Sequence, residues 1–168
     1  MKRFITLMLV PALAWATPAK AHVVIEPAEV AAHSYARLAF RVGHGCGTAA
    51  TIAIEVALPE GVSMARPMPK PGWDIAIERR PLARPVSSGH GLVREAPASI
   101  AWRGGPLPDA HYDEFIMMIR APDQPGTTLV FPVVQRCEGG AQHAWVELAE
   151  PGQPRPRSPA PTLRLGAR

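Results

Sequence analysis

Tyr35-Ala36-Arg37-Leu38-Ala39-Phe40-Arg41-Val42 is the stretch that decides the fold. Ala36, Leu38, Phe40 and Val42 fall on one side of an extended chain. Tyr35, Arg37, Ala39 and Arg41 fall on the other. A period of two with one polar side is a half-buried strand. The same alternation returns downstream. Residues 51–58 put Ile52, Ile54, Val56 and Leu58 inward, and residues 73–79 repeat it with Trp73, Ile75 and Ile77. Residues 99–102, 115–120, 129–135 and 143–148 read as further strands, the last with His143, Trp145 and Glu147 on one face. Upstream, the β-branched residues 23–25 form a first strand that Pro27 stops.

Between the strands stand turn signals: Gly43-His44-Gly45-Cys46-Gly47, Pro59-Glu60-Gly61, Asp123-Gln124-Pro125-Gly126 and Glu138-Gly139-Gly140. Residues 28–34 read as a connector. Residues 64–72, with Pro67, Pro69 and Pro71, read as an extended loop outside any ladder. Residues 81–97, with three prolines, read as a polar loop. No stretch keeps a 3.6-residue period over ten positions. Short strands at regular spacing predict an all-β chain, an antiparallel sandwich. Residues 151–161 are Pro-rich and aperiodic, and 162–165 could add a short edge strand.

The N-terminus has a different logic. Lys2-Arg3, an apolar run over 4–10 resuming at 12–16, and Ala19-Lys20-Ala21 form the charged, apolar, small-residue order of a secretory signal. Residues 1–21 are therefore expected to leave, with cleavage between Ala21 and His22. That assigns residues 22–150 to the sandwich domain and 151–168 to a C-terminal tail. The site of action is then periplasmic or extracellular. The full chain carries a formal charge of +4, but Lys2, Arg3 and Lys20 go with the signal and leave the mature chain near +1. No basic face for nucleic acid remains. Cys46 and Cys137 are the two cysteines. In an exported chain a disulfide is the favoured reading. It would close a loop of about 90 residues, which the chain-entropy model values at roughly 4 to 5 kcal/mol as an upper figure. The rival is a Cys/His metal site that would add His44 and His143.

Cleavage after Ala21 makes His22 the first residue. Its α-amine and ring Nδ1 can then chelate one metal ion. Amine and imidazole nitrogens suit Cu(II), which favours tetragonal N/O sites. The amine must lose a proton to bind. Its reference pKa of about 7.7 to 8.0 makes the affinity fall as pH falls.

Specific stretches resemble the YcnI-type copper-binding domain of exported bacterial proteins. They run from Ala21-His22-Val23-Val24 and Pro27-Ala28-Glu29 through His44-Gly45-Cys46 and Leu58-Pro59-Glu60-Gly61-Val62. They continue with Pro67-Met68-Pro69-Lys70-Pro71-Gly72-Trp73, Ile100-Ala101-Trp102-Arg103-Gly104-Gly105-Pro106, Phe131-Pro132-Val133-Val134-Gln135-Arg136-Cys137 and Ala144-Trp145. The resemblance implies an immunoglobulin-like or cupredoxin-like sandwich and a copper (Cu2+) site built on one N-terminal histidine. It maps that histidine to His22 and a tryptophan beside the metal to Trp145. An acidic ligand on the second strand maps to Ala36, and alanine cannot bind copper. Another ligand is then needed, or the copper is held more weakly. His33, His44 and His143 are the candidate imidazoles, and Glu26 or Glu29 could offer a carboxylate.

The function this implies is holding or passing Cu(II) in copper homeostasis, with a membrane copper transporter or a copper chaperone as partner. No enzymatic activity is expected. The alternatives are a copper mono-oxygenase, which needs a second histidine and an open substrate face, and a metal-free sandwich for partner binding.

Overall fold

The computed structural model describes residues 22–87, 91–150, 152–154 and 156–168. The expected signal segment and Ala21 lie outside the described residues, as do residues 88–90, 151 and 155. The strands, in chain order, are β1 (Val24–Glu26), β2 (Glu29–Ala31), β3 (Tyr35–Val42), β4 (Thr51–Ala57), β5 (Ala65–Pro67) and β6 (Trp73–Ser87). They continue with β7 (Leu92–Leu107), β8 (Asp113–Arg120), β9 (Thr128–Val130), β10 (Val133–Cys137), β11 (Gln142–Trp145) and β12 (Thr162–Gly166). Among the described residues the one helical element is a 3₁₀ turn at Glu138–Gly140.

Two sheets make the sandwich. One has the order β1-β3-β8-β5, the other β11-β10-β4-β7-β6. A third, smaller sheet has the order β2-β12-β9, with β12 parallel to β2 and antiparallel to β9. The decisive alternation of β3 is realised: Ala36, Leu38, Phe40 and Val42 are buried, while Tyr35, Arg37 and Arg41 face solvent. Leu38 and Phe40 meet the inner faces of β4, β7 and β10 in one apolar core. Trp102 on β7 packs edge-on against Phe115 on β8 at 5.7 Å, joining the two sheets. Of the neighbouring methionines on β8, Met117 is core and Met118 is exposed.

Several local expectations change. The polar loop expected at 81–97 is mostly ladder, because β6 and β7 form one long hairpin that pairs Pro81 with Glu95 and Ser87 with Leu92. Its prolines are tolerated because β6 is an edge strand, where a missing N–H disrupts little, and bulges absorb the irregularity. For the same reason Ala65–Pro67 pairs along the edge of β8 despite Pro67. The expected connector at 28–34 contains β2. The single strand expected at 129–135 breaks before Val133, so β9 and β10 serve different sheets. Ile52 points outward, 37% exposed, because a register shift between Thr51 and Ala53 turns Thr51 into the core instead. Strand β11 stops at Trp145. Finally, β12 is a central strand rather than an edge, and its Leu163 and Leu165 are fully buried.

Candidate metal centre

Register brings the proposed residues to one end of the sandwich. Antiparallel pairing sets Val24 opposite Arg41 and Ile25 opposite Phe40. Continuing outward, His22 runs beside the chain that leaves β3 through Gly43 and His44. On the facing sheet, β11 sets Trp145 opposite Val133 and His143 opposite Gln135. Three imidazoles thus surround one indole. Their ring centroids lie 5.3 Å (His22), 6.4 Å (His44) and 5.6 Å (His143) from that of Trp145. His44 and His143 also meet each other, centroids 6.0 Å apart.

The loop carrying His44 is pinned from several sides. Cys46 is bonded to Cys137 at the end of β10, as the favoured reading expected. Gly45 approaches Ala49 so closely that a Cβ would stand 2.0 Å from the Ala49 carbonyl oxygen. Only glycine fits there. The Gly45 N–H donates to Asp109 Oδ1 at 2.8 Å. The Gln135 amide, 1% exposed, donates from Nε2 to the His44 carbonyl and to Thr51 Oγ1, both at 2.7 Å. Gln135 therefore stands opposite His143 in the ladder while its side chain holds the backbone of His44.

The hydrogen bonds also fix tautomers. A carbonyl oxygen only accepts, so an imidazole nitrogen against one carries the proton. His22 Nε2 donates to the Arg157 carbonyl at 3.3 Å, which leaves the lone pair of the neutral ring on Nδ1. His44 Nδ1 donates to the Gly45 carbonyl. Trp145 is 4% exposed. Its Nε1–H is buried without an acceptor among the described residues, an arrangement that ordinarily costs about 1 to 3 kcal/mol. On its outer side His22 borders a groove of about 630 Å³, with Glu147, Pro156, Pro159 and Thr162 among its walls.

Other candidates fall away. His33 sits beyond the opposite end of β3 with φ 60°, where its Nε2 accepts from Arg120 Nη2 at 3.0 Å. Ala36 is buried opposite Ile119. It lies six residues along β3 from Val42, or about 20 Å at strand rise. A ligand to His22 cannot reach from Ala36, and the position across from His22 is the loop at Gly43–His44. Glu26 pairs with Arg41 at 2.8 Å and Glu29 with Arg164 at 3.6 Å. Among the described residues no three His, Cys, Asp or Glu side chains form a metal-binding group. The histidines ring the indole without converging on one point. Gln135, Gly45 and the Arg157 carbonyl were not singled out from the sequence. Gln135 alone left a trace, a polar residue between Val133 and Cys137 on the inward side of a strand.

Comparisons with known proteins agree with this architecture. The family model described as "Domain of unknown function (DUF1775)" matches residues 22–165. A protein of solved structure from Nocardia farcinica, described as an uncharacterized protein whose crystal structure reveals an immunoglobulin-like fold, is 30% identical. The match covers 86% of this chain and 98% of that one, with a TM-score of 0.67. No curated protein matches the chain.

Proposed function

The chain belongs to the DUF1775 family, which includes the YcnI-type copper-binding domains, and from that premise we propose that it is an exported protein that holds or passes Cu(II) through His22. One observation carries the reading. His22 Nε2–H donates to the Arg157 carbonyl, which leaves the lone pair of the neutral ring on Nδ1, the nitrogen that can close a chelate with the α-amine of the same residue. A hydrogen-bond partner that orients a ligating imidazole in this way typically tunes metal affinity 10- to 100-fold. The donor set fits Cu(II), which takes amine and imidazole nitrogens in tetragonal sites.

Trp145 beside the ring supplies an apolar wall that keeps water off one side. Its unpartnered N–H can donate to a water or anion completing the coordination of the copper. With Ala36 remote and Glu26 and Glu29 held by arginines, His22 supplies the two protein donors. A cargo held by so few donors exchanges readily, which suits transfer to a membrane copper transporter or a copper chaperone. Export agrees with the Cys46–Cys137 disulfide, and among the described residues no helix is long and apolar enough to cross a membrane. The role is binding and transfer rather than turnover.

The test is Cu(II) titration of the protein beginning at His22 against the same protein extended by one alanine before His22. The extension keeps every side chain but moves the free amine. Tight one-to-one binding in the first and its collapse in the second is the expected result. Equal binding by both would sink the His22 chelate.

A further inference from the structure

The Arg157–Ser158 peptide group is held at both of its polar ends. Its carbonyl accepts from His22 Nε2–H at 3.3 Å, and its N–H donates to Glu147 Oε2 at 2.9 Å. A carboxylate, one peptide unit and the imidazole thus stand in series. An imidazole that ligates a metal ordinarily donates its other N–H to a carboxylate, a carbonyl or a water, which fixes the ring and raises the basicity of the ligating nitrogen. Here the carbonyl does this directly, and the carboxylate stands one peptide behind it. We propose that Glu147 is a positioning residue of the His22 site: through the Arg157–Ser158 peptide it sets the hold on Nε2–H, and with it the donor strength of Nδ1. The inference rests on the reading of His22 as the chelating residue.

The series of bonds gives the direction of the effect. A hydrogen bond to an ionised acceptor is stronger than one between neutral groups, and hydrogen bonds in line polarise one another. A carboxylate drawing on the Ser158 N–H therefore shifts electron density toward the Arg157 oxygen and makes it a better acceptor for His22. Among the described residues no lysine or arginine forms an ion pair with Glu147. The two chain segments are also registered independently of the carboxylate. The Val146 and Glu147 N–H groups both donate to the Ser158 carbonyl at 3.1 Å, and the Ala160 N–H donates to the Glu147 carbonyl at 2.9 Å. Glu147 pairs with Pro159 in a parallel bridge. These backbone bonds survive a change of side chain at Glu147, so a substitution there removes the hold on the peptide and keeps the segments side by side. Glu147 and His22 border the same groove, which places both on one wall of the site.

The first readout needs no copper. The ring nitrogen shifts of His22 are measured by long-range proton–nitrogen correlation in the copper-free protein beginning at His22, at mildly alkaline pH where imidazole is neutral. The parent is expected to show the Nε2–H tautomer. Glu147→Ala should bring in the Nδ1–H form, so that the two nitrogen shifts draw together. Cu(II) affinity should fall 10- to 100-fold, as for other partners that orient a ligating imidazole. Glu147→Gln keeps an oxygen that can accept from the Ser158 N–H but carries no charge, so it should lose less than Glu147→Ala in both measurements. In the protein extended by one alanine before His22, Glu147→Ala should leave the residual Cu(II) binding unchanged. The inference is overturned if the nitrogen shifts of Glu147→Ala match the parent, or if the substitution weakens Cu(II) binding as deeply with the extension as without it. It is equally overturned if an affinity that collapses with the extension ignores Glu147→Ala. Failure of the His22 chelate itself reads differently: Cu(II) affinity is then the same with and without the extension, and the nitrogen shifts still decide whether Glu147 holds the ring.

Discussion

Strand β3 carries a histidine two residues beyond each end, His33 before Tyr35 and His44 after Val42. The two have opposite fates. His33 is exposed at positive φ and takes a hydrogen bond from Arg120. His44 is half-buried, its carbonyl held by Gln135, its neighbour Gly45 pressed against Ala49 and held by Asp109, and Cys46 tied to Cys137. The pinned backbone of His44 holds its ring against those of His143 and Trp145, whereas the ring of His33 meets only a surface arginine. Residue type and proximity in sequence do not separate the two cases.

The sharpest way to break the contrast is to cut the tie behind His44. Replacing Cys46 and Cys137 together by alanine should destabilise the copper-free protein by up to about 4 to 5 kcal/mol, the chain-entropy figure for so long a loop. Denaturant unfolding measures it. Unchanged stability of the double variant would mean that the bridge does not order the His44 loop.

A smaller effect is expected from Gly45→Ala. The added Cβ meets the Ala49 carbonyl oxygen at 2.0 Å, so the loop must shift. Overpacking of this kind costs about 1 to 3 kcal/mol. Thermal unfolding should register the cost, while Cu(II) binding at His22 holds.

The smallest effect belongs to the other end. His33→Asn keeps a residue type that tolerates the left-handed conformation. Stability should stay within about 0.5 kcal/mol, as for most surface changes, and the Cu(II) titration should match the parent. Loss of copper binding in this variant would erase the distinction between the two ends.

The fold was legible wherever one face of a strand meets the core and the other meets water. Residues 35–42 show this with one exception, Ala39, which lies on the outward side and is nevertheless buried. The β6–β7 hairpin was illegible for the converse reason. Much of its outer part is exposed on both faces, so no apolar alternation marks it, and its edge position admits prolines that would veto a central strand. Ile52 was misplaced because a bulge reverses the inward set without changing composition. At the candidate site, His22, Trp145, His44 and His143 were all visible as residues, and His143 and Trp145 as partners on one face. Their assembly was not, because it depends on the register between β1 and β3 and on a disulfide that ties the loop after β3 to the end of β10. The mapping of a ligand to Ala36 failed on that same register.

Strand β12 sets a condition on the order of events. It is the middle strand of its sheet, yet it comes at the far end of the sequence from β2, its parallel neighbour. Until Thr162–Gly166 arrives, Glu29–Ala31 and Thr128–Val130 have no strand between them, and Leu163 and Leu165 leave their places in the core empty. Contacts this distant along the chain close slowly. The groove beside His22, walled in part by Pro159 and Thr162, is therefore a late product of folding. A chain emerging from a ribosome keeps that groove open until nearly its last residue is through, so a nascent chain arrested before residue 162 leaves unpaired the inner edges of Glu29–Ala31 and Thr128–Val130 that β12 fills in the finished protein.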